Sequence, residues 1–333
     1  MQQMSTQDHA RTALTITAEQ EAFKLLELPQ GILDLISSPE PPILHIKSLD
    51  ALSSSSKPAY VALCTKDQTY QLRQVQTSNS VYVTRAAPFR SPGSILPQSS
   101  VSAIASCSHT LELHPSKDSP LVVLRQLLPE YREADDVVLL NNSARSKVEI
   151  FANIPSSDGE CERAWGELCA FEVEGRSWCP SPAAIHEAWR VLLTAAIAES
   201  IPLISSFSLA KLHDTLMDEK MPIEFFESLI LRISTAGHST EELTLDKPLT
   251  IEWLGKVTLQ VLTETNSEIP LSQFMAAWRE ALPDEWEQDV KIDAIKGFYT
   301  QPNPRLIAVK SHIADRTVNS KSGKWHEKFK ARR

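Results

Sequence analysis

Residues 69–83 read TYQLRQVQTSNSVYV, and the interpretation of this stretch decides the architecture of the first third of the chain. It has strand character although it carries few aliphatic residues. Tyr70, Leu72 and Gln74 alternate with Gln71, Arg73 and Val75, and Thr77-Ser78-Asn79-Ser80 offers a turn before Val81-Tyr82-Val83 resumes. Two readings fit so polar a strand. One is an ordinary antiparallel strand with one face in water. The other is a sheet edge that pairs with a second chain, where backbone hydrogen bonds supply affinity and alternate side chains supply specificity.

The surroundings of this strand are also mostly β. Short alternating runs occur at Ile43-Leu44-His45-Ile46, at Tyr60–Cys64 and at Leu111–His114, and helix is expected only near Leu25–Ile36. Ser53–Pro58 and the Pro/Ser-rich stretch Pro88–Ser102 read as surface loops or insertions. With so many breaks and so few aromatic residues, this half reads as an incomplete barrel. The polar residues 1–18 read as disordered.

After Pro115 the periodicity becomes helical. Leu121, Leu124, Leu127 and Leu128 share a face, a short helix is expected over Ser146–Asn153, and another runs from Asp158 or Gly159 to Ala170. A hairpin follows: Phe171-Glu172-Val173, the turn Glu174-Gly175, then Arg176–Cys179. Helices closed by a small hairpin define a winged helix. The pattern recurs near the C-terminus. Thr250 is expected to cap a helix carrying Leu254, Val257 and Val261; Phe274 and Trp278 mark a second helix, Trp286, Val290 and Ile295 a third, and Gly297–Thr300 with Arg305–Val309 form the hairpin. Between them, Ser181-Pro182 opens a helix with Ile185, Trp189 and Leu192, followed by helices over Ser208–Met217 and Pro222–Ser234; the middle wing lies somewhere in Ala236–Pro248. The fold class is therefore α+β. It comprises a disordered start (1–18), a barrel-type assembly domain (19–114), three winged helices (115–180, 181–249, 250–310) and a basic tail (311–333).

Signatures of catalysis are not found. The one Gly-Lys pair, Gly323-Lys324, is followed by Trp325 and lacks the upstream glycine of a phosphate-binding loop, so ATP hydrolysis is not expected. There is no GxSxG elbow and no HExxH, and His109 and His114 are poorly spaced for metal ligation. No catalytic residue, metal or cofactor is expected. The five cysteines form no CxxC pair and point to a reducing cytoplasm or nucleus. Paired acids such as Asp135-Asp136, Glu241-Glu242 and Asp284-Glu285 are accounted for by helix starts. No apolar run has the length of a membrane span, and the beginning of the chain has no secretory pattern.

Charge separates the body from the tail. Net charge is -9, yet nine Lys/Arg against Asp315 and Glu327 give residues 305–333 a charge of +7, which leaves -16 on the rest. The expected third helices are acidic: Glu160, Glu162 and Glu167 against Arg163; Glu224 and Glu227 against Arg232; Asp284, Glu285, Glu287, Asp289 and Asp293 against Lys291 and Lys296. A helix reading bases in the major groove must approach phosphates, so these modules are expected to dock proteins. The tail differs. Lys310, Lys321, Lys324, Lys328, Lys330, Arg332 and Arg333, with Trp325 and Phe329 among them, either track a phosphate backbone without sequence preference or serve as an import signal. Trp178 and Trp278 are expected in cores, and Trp165 on the surface as a rim aromatic for a partner.

The TYQLRQVQTSNS run, with FKLLELP at Phe23–Pro29 before it, resembles the sister-chromatid-cohesion accessory subunit of the alternative, cohesion-specific replication factor C clamp loader. The resemblance covers most of residues 20–310 and is diffuse in the helices; the long Pro88–Ser102 stretch and the tail SKSGKWHEKFKARR depart from it. It implies a non-enzymatic nuclear subunit. Its N-terminal β domain would join the small partner subunit and the C-terminus of the large ATPase subunit in a composite barrel. Its winged helices would reach DNA polymerase epsilon and primer-template DNA, and the sliding clamp only indirectly. The partner-binding residues on this reading are Tyr70, Leu72, Thr77, Ser78, Asn79 and Val81. The rival is a free-standing tandem winged-helix DNA-binding or chromatin regulator.

Overall fold

In the computed structural model the described residues are 13–48, 61–89, 98–132, 145–217, 220–235 and 243–310. Residues 1–12, Ser53–Pro58 and the tail beyond Lys310 lie outside them; the expected disorder over 1–18 is corrected at Ala13–Ile16, a strand paired with Ser100–Ala103. The chain divides into two units, Met1–Pro120 with Phe151–Cys161, and Leu121–Ile150 with Glu162–Arg333.

The first unit is built on six strands: β1 (Ala13–Ile16), β2 (Leu25–Glu27), β3 (His45–Ser48), β4 (Val61–Cys64), β5 (Thr69–Phe89) and β6 (Gln98–Pro115). They form one curled, half-barrel sheet in the order β1-β6-β5-β4-β3, with β2 also on β6. β1 and β2 run parallel to β6, at Ser100–Ala103 and at Thr110–Glu112. The expected helix at Leu25–Ile36 is split, because Leu25–Glu27 is taken into the sheet and only α1 (Gln30–Ile36), opened by Pro29, is helical. Ile32 of α1 packs with Leu63, Tyr70 and Leu113 as a small core, and Leu28, Leu44 and Leu72 pack partly against it.

Two further expectations for this half are corrected. Thr77–Ser80 is not a turn. β5 is continuous, and its register passes from Gln76 opposite His109 to Val81 opposite Cys107, so the four residues face Ser108 alone in a wide bulge. Small polar residues suit a bulge as well as a turn, and the same partner strand on both sides decides for the bulge. The Pro/Ser-rich stretch is strand at its described ends: Pro88 and Phe89 end β5, and β6 starts at Gln98, while residues 90–97 lie outside the described residues. Ser100 and Ser102 are buried because β1 covers that end of β6.

In the second unit, α2 (Leu121–Leu127), β7 (Glu130–Tyr131) and α3 (Lys147–Ala152) lead to α4 (Asp158–Glu167), which begins in the inserted segment; β8 (Phe171–Val173) and β9 (Arg176–Pro180) follow. Glu174 and Gly175 both have positive φ, which the tight β8–β9 turn requires. Next come α5 (Pro182–Ala198), α6 (Ala210–Met217), α7 (Ile223–Ile233), α8 (Lys247–Leu262), β10 (Ile269–Pro270) and α9 (Leu271–Glu280). Two 3-10 turns, Asp284–Asp289 and Ile292–Ile295, precede β11 (Tyr299–Thr300) and β12 (Leu306–Val309). A third α-helix was expected where these two turns stand.

Capping decides the helix starts. Ser181 accepts a hydrogen bond from the Ala184 N–H at 3.1 Å and Pro182 follows it, as the sequence implies. α8 starts earlier than expected, because Asp246 is the cap, accepting from the Leu249 N–H at 2.9 Å. Thr250 is buried in the first turn and donates its hydroxyl back to the Asp246 carbonyl at 2.7 Å. Asp246→Ala should cost about 1 kcal/mol, read as a fall in chemical-denaturation midpoint.

A related element order occurs at both ends of the unit: α2, β7, α3, α4 and the β8–β9 hairpin, then α8, β10, α9, the two 3-10 turns and the β11–β12 hairpin, with α5, α6 and α7 between them. The short strand runs parallel to the last strand in the first copy and antiparallel to it in the last. β7 pairs β9 and β10 pairs β12, while in the middle repeat Phe207 bridges Leu243 and Ser234 bridges Leu245. A large apolar core runs through the unit, from Tyr131 through Trp189, Phe225 and Leu254 to Trp278 and Ile307. Trp189 Nε1 donates to the Ala281 carbonyl at 2.6 Å and Ser228 Oγ to the Ala170 carbonyl at 3.0 Å, so the repeats are stitched by side chain to backbone bonds. Trp178 and Trp278 are fully buried. Trp165 is buried too, with the Lys147 ammonium 5.0 Å from its ring centre, and does not form an exposed rim.

Candidate assembly edge

β4 pairs with β5 only at Thr69, Tyr70 and Gln71. From Leu72 to Phe89 the edge of β5 opposite β6 has no strand against it among the described residues. At about 3.3 Å per residue that is an edge of roughly 60 Å. The bulge divides it into Leu72–Gln76 and Val81–Phe89, and a second register shift falls between Val83 and Thr84.

The side chains beside this edge are unusual for a protected surface. Val81 is 49% and Tyr82 53% exposed. Elsewhere on the sheet, Leu14 and Ile16 on β1, across β6, and Ile46 on β3 with Ile43 before it are exposed as well. β5 is polar elsewhere along the edge, with Arg73, Gln74 and Gln76 in solvent. A polar edge of this kind discourages indiscriminate pairing, whereas apolar residues at its far half invite a particular partner.

The six residues expected to bind a partner do not share one environment. Tyr70 lies in the small core and its hydroxyl donates to Gln68 Oε1 at 3.1 Å; β4 covers its edge. Leu72 packs partly against that core at the start of the open edge. Thr77 and Ser78 lie in the bulge, where only their backbone is described, and Asn79 is exposed beside them. Val81 alone is both apolar and well exposed on the open part, and Tyr82, not anticipated from the sequence, joins it. Alternation predicts one of two adjacent residues facing water; on a ribbon without covering layers both faces are wet.

Among the tail residues, Lys310 is exposed and its N–H donates to the Phe298 carbonyl at 2.9 Å. Lys321, Lys324, Lys328, Lys330, Arg332 and Arg333 lie outside the described residues. The surface histidines make local contacts, His114 with Glu112 at 3.1 Å and His109 with Ser108 at 2.8 Å. Among the described residues no helix is long and apolar enough to cross a membrane. All five cysteines are free and buried, and burial pushes the Cys161 and Cys169 thiols up to about 12. Alkylation of the folded chain at pH 8 should run at least 100-fold slower than in denaturant, since the thiolate is the reactive form; mass spectrometry of labelled peptides reads this.

Among the described residues the fold is that of an α+β protein with a curled, half-barrel N-terminal sheet, open along most of β5, followed by several helices and two small three-stranded sheets. The family model of the sister chromatid cohesion protein Dcc1 matches residues 23–312, and the chain belongs to this family. The sister chromatid cohesion protein DCC1 of Saccharomyces cerevisiae (strain ATCC 204508 / S288c) is 24% identical over 323 residues, covering 89% of this chain and 81% of the relative. Family membership supports a role in sister chromatid cohesion.

Proposed function

We propose that this chain is a non-catalytic nuclear subunit of the alternative replication factor C clamp loader. Strands of the small partner subunit and of the large ATPase subunit's C-terminus complete its sheet along β5. The observation that carries this reading is the open β5 edge from Leu72 to Ala86 with Val81 and Tyr82 exposed on it. Burying a Val, Leu or Ile side chain contributes about 1.5–3 kcal/mol, so covering Val81 would offset part of the entropy of association.

The second unit supports the rest of the reading. We interpret its repeats as winged helices because the short strand that follows the first helix pairs with the last strand of the hairpin in the first, in parallel, and in the last, antiparallel, and Phe207 bridges Leu243 in the middle. Their acidic helical segments favour protein docking, and DNA polymerase epsilon is the partner proposed for them. The basic tail contacts DNA without sequence preference, and the loader is thereby directed to forks for clamp loading or unloading. If four tail charges meet phosphates, the log-log salt slope of DNA binding is about -4, and removing residues 317–333 should flatten it; an unchanged slope rules out tail contact.

Co-expression with the small subunit and the large subunit's C-terminal segment, followed by size exclusion, tests assembly. Val81→Asp should weaken the complex at least 30-fold while shifting the chain's own stability by no more than about 0.5 kcal/mol. Leu72→Asp is a poorer probe because Leu72 also packs on the core. A complex that survives Val81→Asp together with Tyr82→Asp defeats the edge reading. A chain that ignores both partners and binds DNA with base preference is the free-standing regulator instead.

A further inference from the structure

Phe151–Cys161 is distant from the sheet in sequence but belongs to its unit, and two side chains hold it there. Lys47 on β3 is nine-tenths buried, and its ammonium donates to the Phe151 carbonyl at 3.1 Å, the Ser156 carbonyl at 3.0 Å and the Asp158 carboxylate at 2.7 Å. Its three donors are thus all satisfied, which an ammonium taken out of water requires. Thr69, the first residue of β5, is 1% exposed. Its hydroxyl donates to the Glu160 carboxylate and accepts the Ser157 N–H at 2.7 Å. Ser157 and Glu160 cap α4 reciprocally: the Glu160 N–H donates to Ser157 Oγ at 3.3 Å and the Ser157 N–H to Glu160 Oε2 at 3.2 Å. The Gly159 N–H donates to the Lys66 carbonyl at 2.8 Å, and a Cβ on Gly159 would stand 3.0 Å from that same oxygen and 2.5 Å from Asp67 Oδ1. The β4–β5 turn and the cap of α4 are therefore fitted to each other without room for a side chain.

We infer that Lys47, Thr69 and Glu160 are positioning residues for the assembly edge. They anchor β5 at the one end where β4 still supports it; two residues later β4 leaves, and only β6 aligns the strand. The inserted segment thereby sets where the open edge begins and how it is aimed. This inference rests on the reading of β5 as the docking edge.

The test uses the full chain with Thr69→Val, which keeps the β-branched shape and removes the hydroxyl, and Glu160→Gln, which keeps the size and removes the charge. Both should speed amide exchange over residues 66–72 at least tenfold, leave α8 unchanged, and weaken assembly with the small subunit and the large subunit's C-terminal segment at least tenfold. Thr69→Ser should restore both. Unchanged exchange in both variants overturns the inference, and so does faster exchange with undiminished assembly, provided Val81→Asp still breaks the complex. If neither Val81→Asp nor Thr69→Val affects assembly, the docking reading itself fails, and this inference falls with it.

Discussion

Phe225→Ala should be the most damaging single truncation in the second unit, lowering stability by about 3–5 kcal/mol. Phe225 is fully buried on α7. Its ring stacks on Phe171 with centroids 5.0 Å apart, meets Tyr131 edge-on at 5.6 Å, and lies 6.4 Å from Phe226. The three neighbours come from β7, β8 and α7, so the ring is shared by the first and middle repeats. Its removal opens a cavity that no single element can close, and aromatic pairing adds about 0.5–1.5 kcal/mol per pair to the area term. In calorimetry the transition should fall by about 10 °C, at roughly 2–4 °C per kcal/mol for a unit of this size. A fall under 3 °C would show that the repeats do not depend on this shared cluster.

Gly255→Ala should be destabilising by about 1–3 kcal/mol, although alanine in mid-helix ordinarily gains about 1 kcal/mol over glycine. Gly255 sits inside α8, and a Cβ there would lie 2.5 Å from both Cε2 and Cζ2 of Trp278 and 3.0 Å from Ile295 Cγ2. The indole cannot slide away. Its Nε1 donates to the Ile251 carbonyl at 3.0 Å, and its face stacks on Phe274 at 5.3 Å. Shrinking the ring supplies the discriminating measurement. Trp278→Phe costs stability alone, but combined with Gly255→Ala it should cost less than the sum, a coupling of about 1 kcal/mol or more in a double-mutant cycle. Strict additivity would show that Gly255 is not there for close approach.

Much of the second unit could be read from the chain. Ser181-Pro182, the Glu174-Gly175 turn and the apolar spacing of Leu254, Val257 and Trp278 are local signals, each set by a few neighbouring residues. The middle repeat's strand pairing could not be read, because Phe207 and Leu243 each contribute one isolated bridge, too short for any alternation. In α4, Glu160 looked like one more surface acid of a helix. The spacing Ser157-x-x-Glu160 was the available clue to its capping role, but nothing local reveals that its carboxylate also receives Thr69 from 91 residues away.

The first unit shows the division most clearly. By itself the sequence determined that the stretches on either side of Thr77–Ser80 have strand character and that the chain is α+β, since these depend on side-chain alternation and composition within a short window. Tertiary structure decided that Thr77–Ser80 is a bulge and not a turn, because that depends on β6 continuing alongside. It also decided that Tyr70 packs inward while Val81 and Tyr82 stand in solvent, because β4 accompanies β5 for three residues and then leaves it. Which edge of a sheet stays open is a property of how strands distant in sequence pair, and no window of the chain contains it.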